Sequence, residues 1–100
     1  MDLDLISIKK ATDGIHKYVA QFRNQKTLRL KNTKFGAAGM EDFTTHDPKE
    51  RDERKRLYRI RHAGDNLNDA TSAGALSWHV LWSKPTVKEG IAQYKKHFGL

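Results

Sequence analysis

The residues of this chain best suited to chemistry are cations. Seven Lys and Arg side chains fall between positions 49 and 62 (Lys49, Arg51, Arg54, Lys55, Arg56, Arg59 and Arg61), against three acids, Glu50, Asp52 and Glu53. Guanidinium forks match phosphate and carboxylate oxygens, so the stretch reads as a surface for a polyanion or an acidic protein. On a helix turning about 100° per residue, Leu57 and Ile60 fall within about 60° of each other and mark the side expected to be buried. Arg51, Lys55, Arg56 and Arg59 then spread over the opposite, solvent arc, and Arg54 and Arg61 share a flank close to Tyr58 and His62. The competing reading is a plain solvated helix, trimmed by the i,i+4 pairs Glu50–Arg54 and Asp52–Arg56. Acids in its first turn and bases in its last also suit the helix dipole. A second cationic set, Lys17, Arg29 and Lys31, is expected on the solvent face of a sheet.

Other chemistries are poorly supplied. The five histidines, His16, His46, His62, His79 and His97, include no pair at metal-binding helical spacing and no His-Glu-x-x-His motif. Asp65 to Asp69 lacks the third-position acceptor, the glycine and the final glutamate of a calcium loop. Gly36-Ala37-Ala38-Gly39 is not followed by Gly-Lys-Ser/Thr, so it reads as a structural turn and not as a phosphate loop. Asp42, Asp47 and Glu50 lie near arginines, but their spacing suits capping better than a nuclease centre. With no cysteine, thiolate metal sites, disulfides and cysteine nucleophiles are excluded. The expectation is a protein that is not an enzyme, with no catalytic residue, metal, cofactor or evident small-molecule substrate. Trp78 and Trp82, one turn apart, could form a platform for unpaired bases, but a domain this small needs them in its core.

These residues must be positioned by a short chain. One hundred residues support one modest core. Lys and Arg outnumber Asp and Glu by 19 to 12, a formal charge of +7, which points to an anionic partner: nucleic acid, an anionic membrane or an acidic protein. The longest apolar run is about three residues against the roughly 20 that span a bilayer, so no membrane span is expected. The acidic start, Met1-Asp2-Leu3-Asp4-Leu5, does not read as a secretory signal, and an intracellular setting or an assembly built there is expected.

The pattern predicts a single α+β domain. Residues 1–35 form a three-stranded antiparallel meander, residues 36–46 a glycine-containing connection, and residues 47–100 three helices packed on the sheet. Leu5 to Ile8 is the first strand, with Leu3, Leu5 and Ile8 breaking strict alternation. Thr12-Asp13-Gly14 is a turn. Ile15 to Phe22 follows, with Tyr18, Ala20 and Phe22 on one face and Lys17, Val19 and Gln21 on the other. After the reversal at residues 23–26, Thr27 to Phe35 places Leu28 and Leu30 inward and Arg29 and Lys31 outward. The first helix takes Asp47 as N-cap, Pro48 as its first residue and Glu50 as capping-box partner, and runs to about His62. The second starts near Thr71 or Ser72 and runs through Trp82, ahead of Lys84-Pro85. The third has Thr86 as N-cap with Glu89 three on, a buried stripe of Val87, Ile91, Tyr94 and Phe98, and Gly99 as C-cap.

Several segments together carry a family likeness: Phe35-Gly36-Ala37-Ala38-Gly39, Asp42-Phe43-Thr44 with His46, Arg54, Tyr58 and Arg61-His62, Asn68-Asp69, Thr71 to Ser77, Leu81-Trp82 with Lys84-Pro85-Thr86, and the Ile91/Tyr94/Phe98 helix. Over residues 15–100 the chain resembles short basic proteins encoded by large double-stranded DNA viruses of algae and amoebae (phycodnaviruses, mimiviruses and their relatives). It departs from that pattern at Leu67, where an aromatic is common, and at Trp78-His79. The resemblance carries over no catalytic residue. It implies a viral protein made in the host cytoplasm or nucleus and incorporated into a virion. The expected function is that of a small structural protein, a minor capsid or inner-shell component, that docks on acidic capsid protein or the genome through the cationic residues named above. The alternative is a sequence-nonspecific protein that binds double-stranded DNA and aids its condensation or packaging. The first is preferred because acids are interspersed among the bases and no Lys/Arg tail is present.

Overall fold

The computed structural model describes residues 2–100; Met1, counted in the expected meander, lies outside the described residues. Three antiparallel strands, β1 (Leu3–Lys10), β2 (His16–Asn24) and β3 (Leu30–Ala37), form a sheet in the order β1-β2-β3. Three helices follow: α1 (Arg51–Arg61), α2 (Ala73–Leu76), which widens into a π-helical segment at Ser77–Leu81, and α3 (Val87–Phe98). The expected α+β order is the observed one.

The β1–β2 turn is organised by Asp13, whose Oδ1 accepts from the backbone N–H of both Ile15 and His16, each at 2.9 Å. The broken alternation of β1 has a physical cause. The register shifts between Leu5, which pairs with Phe22, and Ser7, which pairs with Gln21, so Ile6 is an inserted residue. This bulge changes the parity of the strand and returns Ile8, opposite Ala20, to the face already occupied by Leu3 and Leu5.

β3 corrects the sequence reading. Asn24 Oδ1 accepts from the N–H groups of Lys26 and Thr27, and Leu28, at φ 60°, donates to Asn24 O. Residues 25–29 are therefore turn, Leu28 and Leu30 are exposed, and the strand begins three residues later than expected. Tyr18 pairs with Phe35, Ala20 with Thr33 and Phe22 with Lys31, so Lys31, Thr33 and Phe35 share the inner face. Lys31 is accordingly not on the outer face: its Nζ donates to Thr71 Oγ1 at 3.0 Å, beside the bond from Thr33 Oγ1 to Thr71 O at 2.7 Å. Arg29 stands exposed in the turn.

α2 and the π segment lie against β3, and α3 lies against the π segment. The core between them comprises Ala20, Phe22, Phe35, Leu76, Val80, Leu81 and Tyr94. Ser72 Oγ caps α2 by accepting from Ala75 N–H at 3.0 Å, and Thr86 Oγ1 caps α3 by accepting from Glu89 N–H at 3.2 Å. α3 presents the expected stripe, with Tyr94 fully buried, its hydroxyl donating to Ala70 O, and Val87, Ile91 and Phe98 packed beside it. Its approach to the π segment requires Gly90, where a Cβ would stand 2.1 Å from Val80 O.

Candidate functional site

α1 meets the rest of the protein through aromatic and cationic side chains. Tyr58 is buried and stacks on Trp82 with ring centroids 4.4 Å apart and planes 8° from parallel, while His62 stacks on Tyr58 at 4.3 Å. Arg51 and Lys55 lie 5.2 and 4.8 Å from the centroid of the Phe43 ring, and Arg59 lies 5.2 Å from that of Trp78. Lys55 Nζ also donates to Ser83 O at 3.0 Å.

The helix is thus rotated from its sequence reading. Leu57 and Ile60, expected inside, are 38% and 63% exposed, while Arg51, Lys55 and Arg59, expected in solvent, face inward. The reason is the surface that receives the helix. Phe43, Trp78 and Trp82 present aromatic faces, which attract cations and accept the aliphatic stems of Lys and Arg. Burial, and then the neighbouring charges of Arg59 and Lys84, push the Lys55 ammonium below its usual range.

The start of α1 also differs. Asp47 Oδ1 accepts from Lys49 N–H and its carbonyl accepts from Glu50 and Arg51, which makes residues 47–50 a turn. Glu50 flanks the helix with no side-chain cap, so the expected capping box is not formed. Arg56 makes two bonds to Glu53, at 2.5 and 3.1 Å, in place of the expected pair with Asp52. Arg54 and Arg61 have no acidic partner among the described residues.

Arg54 and Arg61 line a cleft of about 530 Å³ between α1 and the segment from Gly36, at the end of β3, to Asp42, over a base that includes Tyr58, Leu81 and Trp82. β3 runs through Ala37, so the turn expected over residues 36–39 is confined to Ala38 and Gly39; Gly36, in the strand, and Gly39 take φ 75° and 82°. A Cβ on Gly36 would come 2.8 Å from Leu81 Cδ1, so glycine lets this wall close onto the core.

Asp42 then fixes the wall. Its Oδ1 accepts from Thr44 N–H at 2.8 Å and Thr44 Oγ1 at 2.5 Å, and its own N–H donates to Thr45 Oγ1 at 2.8 Å. Its Oδ2 accepts from Lys17 Nζ at 2.7 Å, with the two side chains only 4% and 17% exposed. Lys17 is therefore corrected from a solvent-face cation to half of a buried ion pair. His46, with a side chain 10% exposed, lies 3.0 Å from Glu41 Oε2, and its Nδ1 is sealed from solvent without a well-directed hydrogen bond.

The structure brings together Lys17, Arg54 and Arg61 of the expected cationic residues, and adds Asp42 and His46. Arg29 and Lys31 lie outside the cleft. Lys17 and Asp42 are 25 positions apart, and no spacing rule links them; the Asp42-x-Thr44 turn was the one local signal. Trp82 is core, as expected, and Trp78 is half-buried under Arg59. Among the described residues no three His, Asp or Glu side chains gather as metal ligands, and no helix is long and apolar enough to cross a membrane.

Sheet, connection and α1 together coincide with a family match. The model of DUF5754, a family of unknown function, matches residues 6–62, more than half of the chain, and the protein belongs to that family. No curated protein and no solved structure matches it.

Proposed function

We propose that the protein is a non-enzymatic structural component of a virion, a minor capsid or inner-shell protein that docks on an acidic protein surface. The observation that carries the docking role is the outer ridge of α1. There Leu57 and Ile60 stand in solvent, with Arg54 and Arg61 on one flank and Arg56 on the other. Apolar side chains among arginines are the composition of protein interfaces, whereas faces that grip DNA are more polar and more uniformly positive. The resemblance to basic proteins of large DNA viruses supplies the virion setting.

A second reading, sequence-nonspecific binding of double-stranded DNA, is favoured by Lys9, Lys10 and Arg29, all exposed on the sheet and its turns. Two measurements separate the readings. A structural component is present at fixed copy number in purified virions and remains on shells emptied of DNA; absence from emptied shells overturns the first reading. A DNA-binding protein that neutralises about five phosphates loses affinity with a log–log salt slope near −4 to −5. No binding to duplex DNA at low salt overturns the second.

A further inference from the structure

The cleft beside α1 has the make-up of a ligand site, and shares Leu57, Arg54 and Arg61 with the outer ridge. We infer that it binds a small phosphate ester with an apolar or aromatic body, the phosphate held by Arg54 and Arg61 and the body lying on Met40 and Leu57, above the buried Leu81 and Trp82. Three observations lead there.

The first is size and order. At about 530 Å³ the cleft falls in the range of roughly 300–1,000 Å³ typical of small-molecule sites. Its walls are set before any ligand arrives: the Tyr58–Trp82 stack fixes α1, and the Lys17–Asp42 pair with the Thr44 and Thr45 bonds fixes the facing loop. Such preorganisation reduces the ordering that binding must supply.

The second is charge. Lys17 is matched by Asp42 and Glu41 lies against His46, which leaves Arg54 and Arg61 as the cleft's unmatched cations. They are seven residues apart, roughly 10 Å along the helix, and both side chains are long enough to converge on one group. A single carboxylate is filled by one bidentate arginine, whereas a phosphate monoester has three terminal oxygens and accepts from two forks at once.

The third is the apolar lining. Leu57 and Met40 are exposed at the mouth, and Leu81 and Trp82 lie at the base. Inorganic phosphate would leave Met40 and Leu57 in water, but an ester with a ring or hydrocarbon body covers them.

The test titrates the full chain with phenyl phosphate, adenosine monophosphate, inorganic phosphate and a Glu-rich peptide, followed by calorimetry and by amide shifts in NMR. At least one ester is expected to bind at least about tenfold more tightly than inorganic phosphate, with shifts centred on residues 36–46 and 54–62. The R54Q/R61Q double variant, altered only at exposed positions, is expected to keep its melting temperature and lose at least about tenfold in affinity, the scale of lost charge-assisted bonds. The inference is overturned by equal binding of inorganic phosphate, undiminished binding by the double variant, shifts mapping elsewhere, or no ester binding up to about 10 mM. Tighter binding of a Glu-rich peptide than of either ester overturns it in favour of a peptide groove. The cleft shares Leu57, Arg54 and Arg61 with the docking ridge, so the Ile60→Asp/Arg56→Glu variant, altered outside the cleft, separates the two readings: it is expected to keep ester binding and to lose attachment to emptied shells.

Discussion

Lys17 Nζ and Asp42 Oδ2 meet at 2.7 Å across the junction of sheet and connection, in a place where neither group is well hydrated. Removing one partner strands the other. Asp42→Ala is expected to cost about 3 kcal/mol, because it leaves the Lys17 charge uncompensated and breaks the bonds to Thr44. Lys17→Met together with Asp42→Asn should recover part of that loss. Urea midpoints of Lys17→Met, Asp42→Asn and the double variant measure the coupling, and strict additivity would show that the pair contributes nothing as a pair.

The junction of α3 with the π segment is the least forgiving place for added volume. Gly90→Ala puts a methyl group 2.1 Å from Val80 O, against backbone that cannot swing aside, and a loss of about 3 kcal/mol or more is expected. At Gly64 a Cβ meets nothing within 4 Å, so Gly64→Ala is the matched control and should change little. Thermal melts of the two variants make the comparison.

α1 is anchored by Tyr58, not by its aliphatic residues. Tyr58→Ala removes the stack on Trp82 and should cost about 3 kcal/mol, the scale of an aromatic deleted from a core. Ile60→Asp should change stability by no more than about 0.5 kcal/mol, since the side chain is already in solvent. A hydropathy reading of the same helix predicts the opposite order. Denaturation of the two variants decides between them.

His79 gives the fold a dependence on pH. Its ring is buried, with Nδ1 2.8 Å from Gln93 Oε1 and the His97 ring stacked 4.4 Å away. Burial pushes its pKa below the ordinary 6.5; the Gln93 bond opposes this, and the charges of His97 and Arg59 add to the lowering. The unfolded chain therefore takes up a proton at higher pH than the folded chain does. Stability from this site is complete above about pH 6.5 and is lost as pH falls through the lower folded value. Melting temperatures of wild type and His79→Gln between about pH 5 and 8 should converge at the acid end.

The parts of this fold that sequence shows are those set by local rules. The caps at Ser72 and Thr86, the left-handed Gly99 and the stripe ending at Phe98 follow from chemistry within a few residues. Most of what stayed hidden depended on partners far along the chain, the Asn24 turn and the unformed capping box at Asp47 and Glu50 being local exceptions. The direction of α1 turns on the ring faces of Phe43, Trp78 and Trp82, which make arginine stems suitable for burial, and no hydropathy scale carries that term. The inner face of β3 was inverted because one asparagine, Asn24, bonds two amides and lengthens the turn, and in a strand a displaced start exchanges the faces. In the cleft, the arginine flank was legible as Arg54 and Arg61, while the opposite wall rests on an ion pair spanning 25 positions.

The bulge at Ile6 has one more effect. A three-stranded sheet has two open edges, and each could template a strand from another molecule. β1 runs along one of them. There the inserted residue interrupts the regular row of amides and carbonyls, and Lys9 and Lys10 place charge at the end of the strand. An incoming strand would find neither a matching ladder nor a neutral surface. The irregularity that aligns Ile8 with the core also guards the β1 edge against pairing with a strand of another molecule.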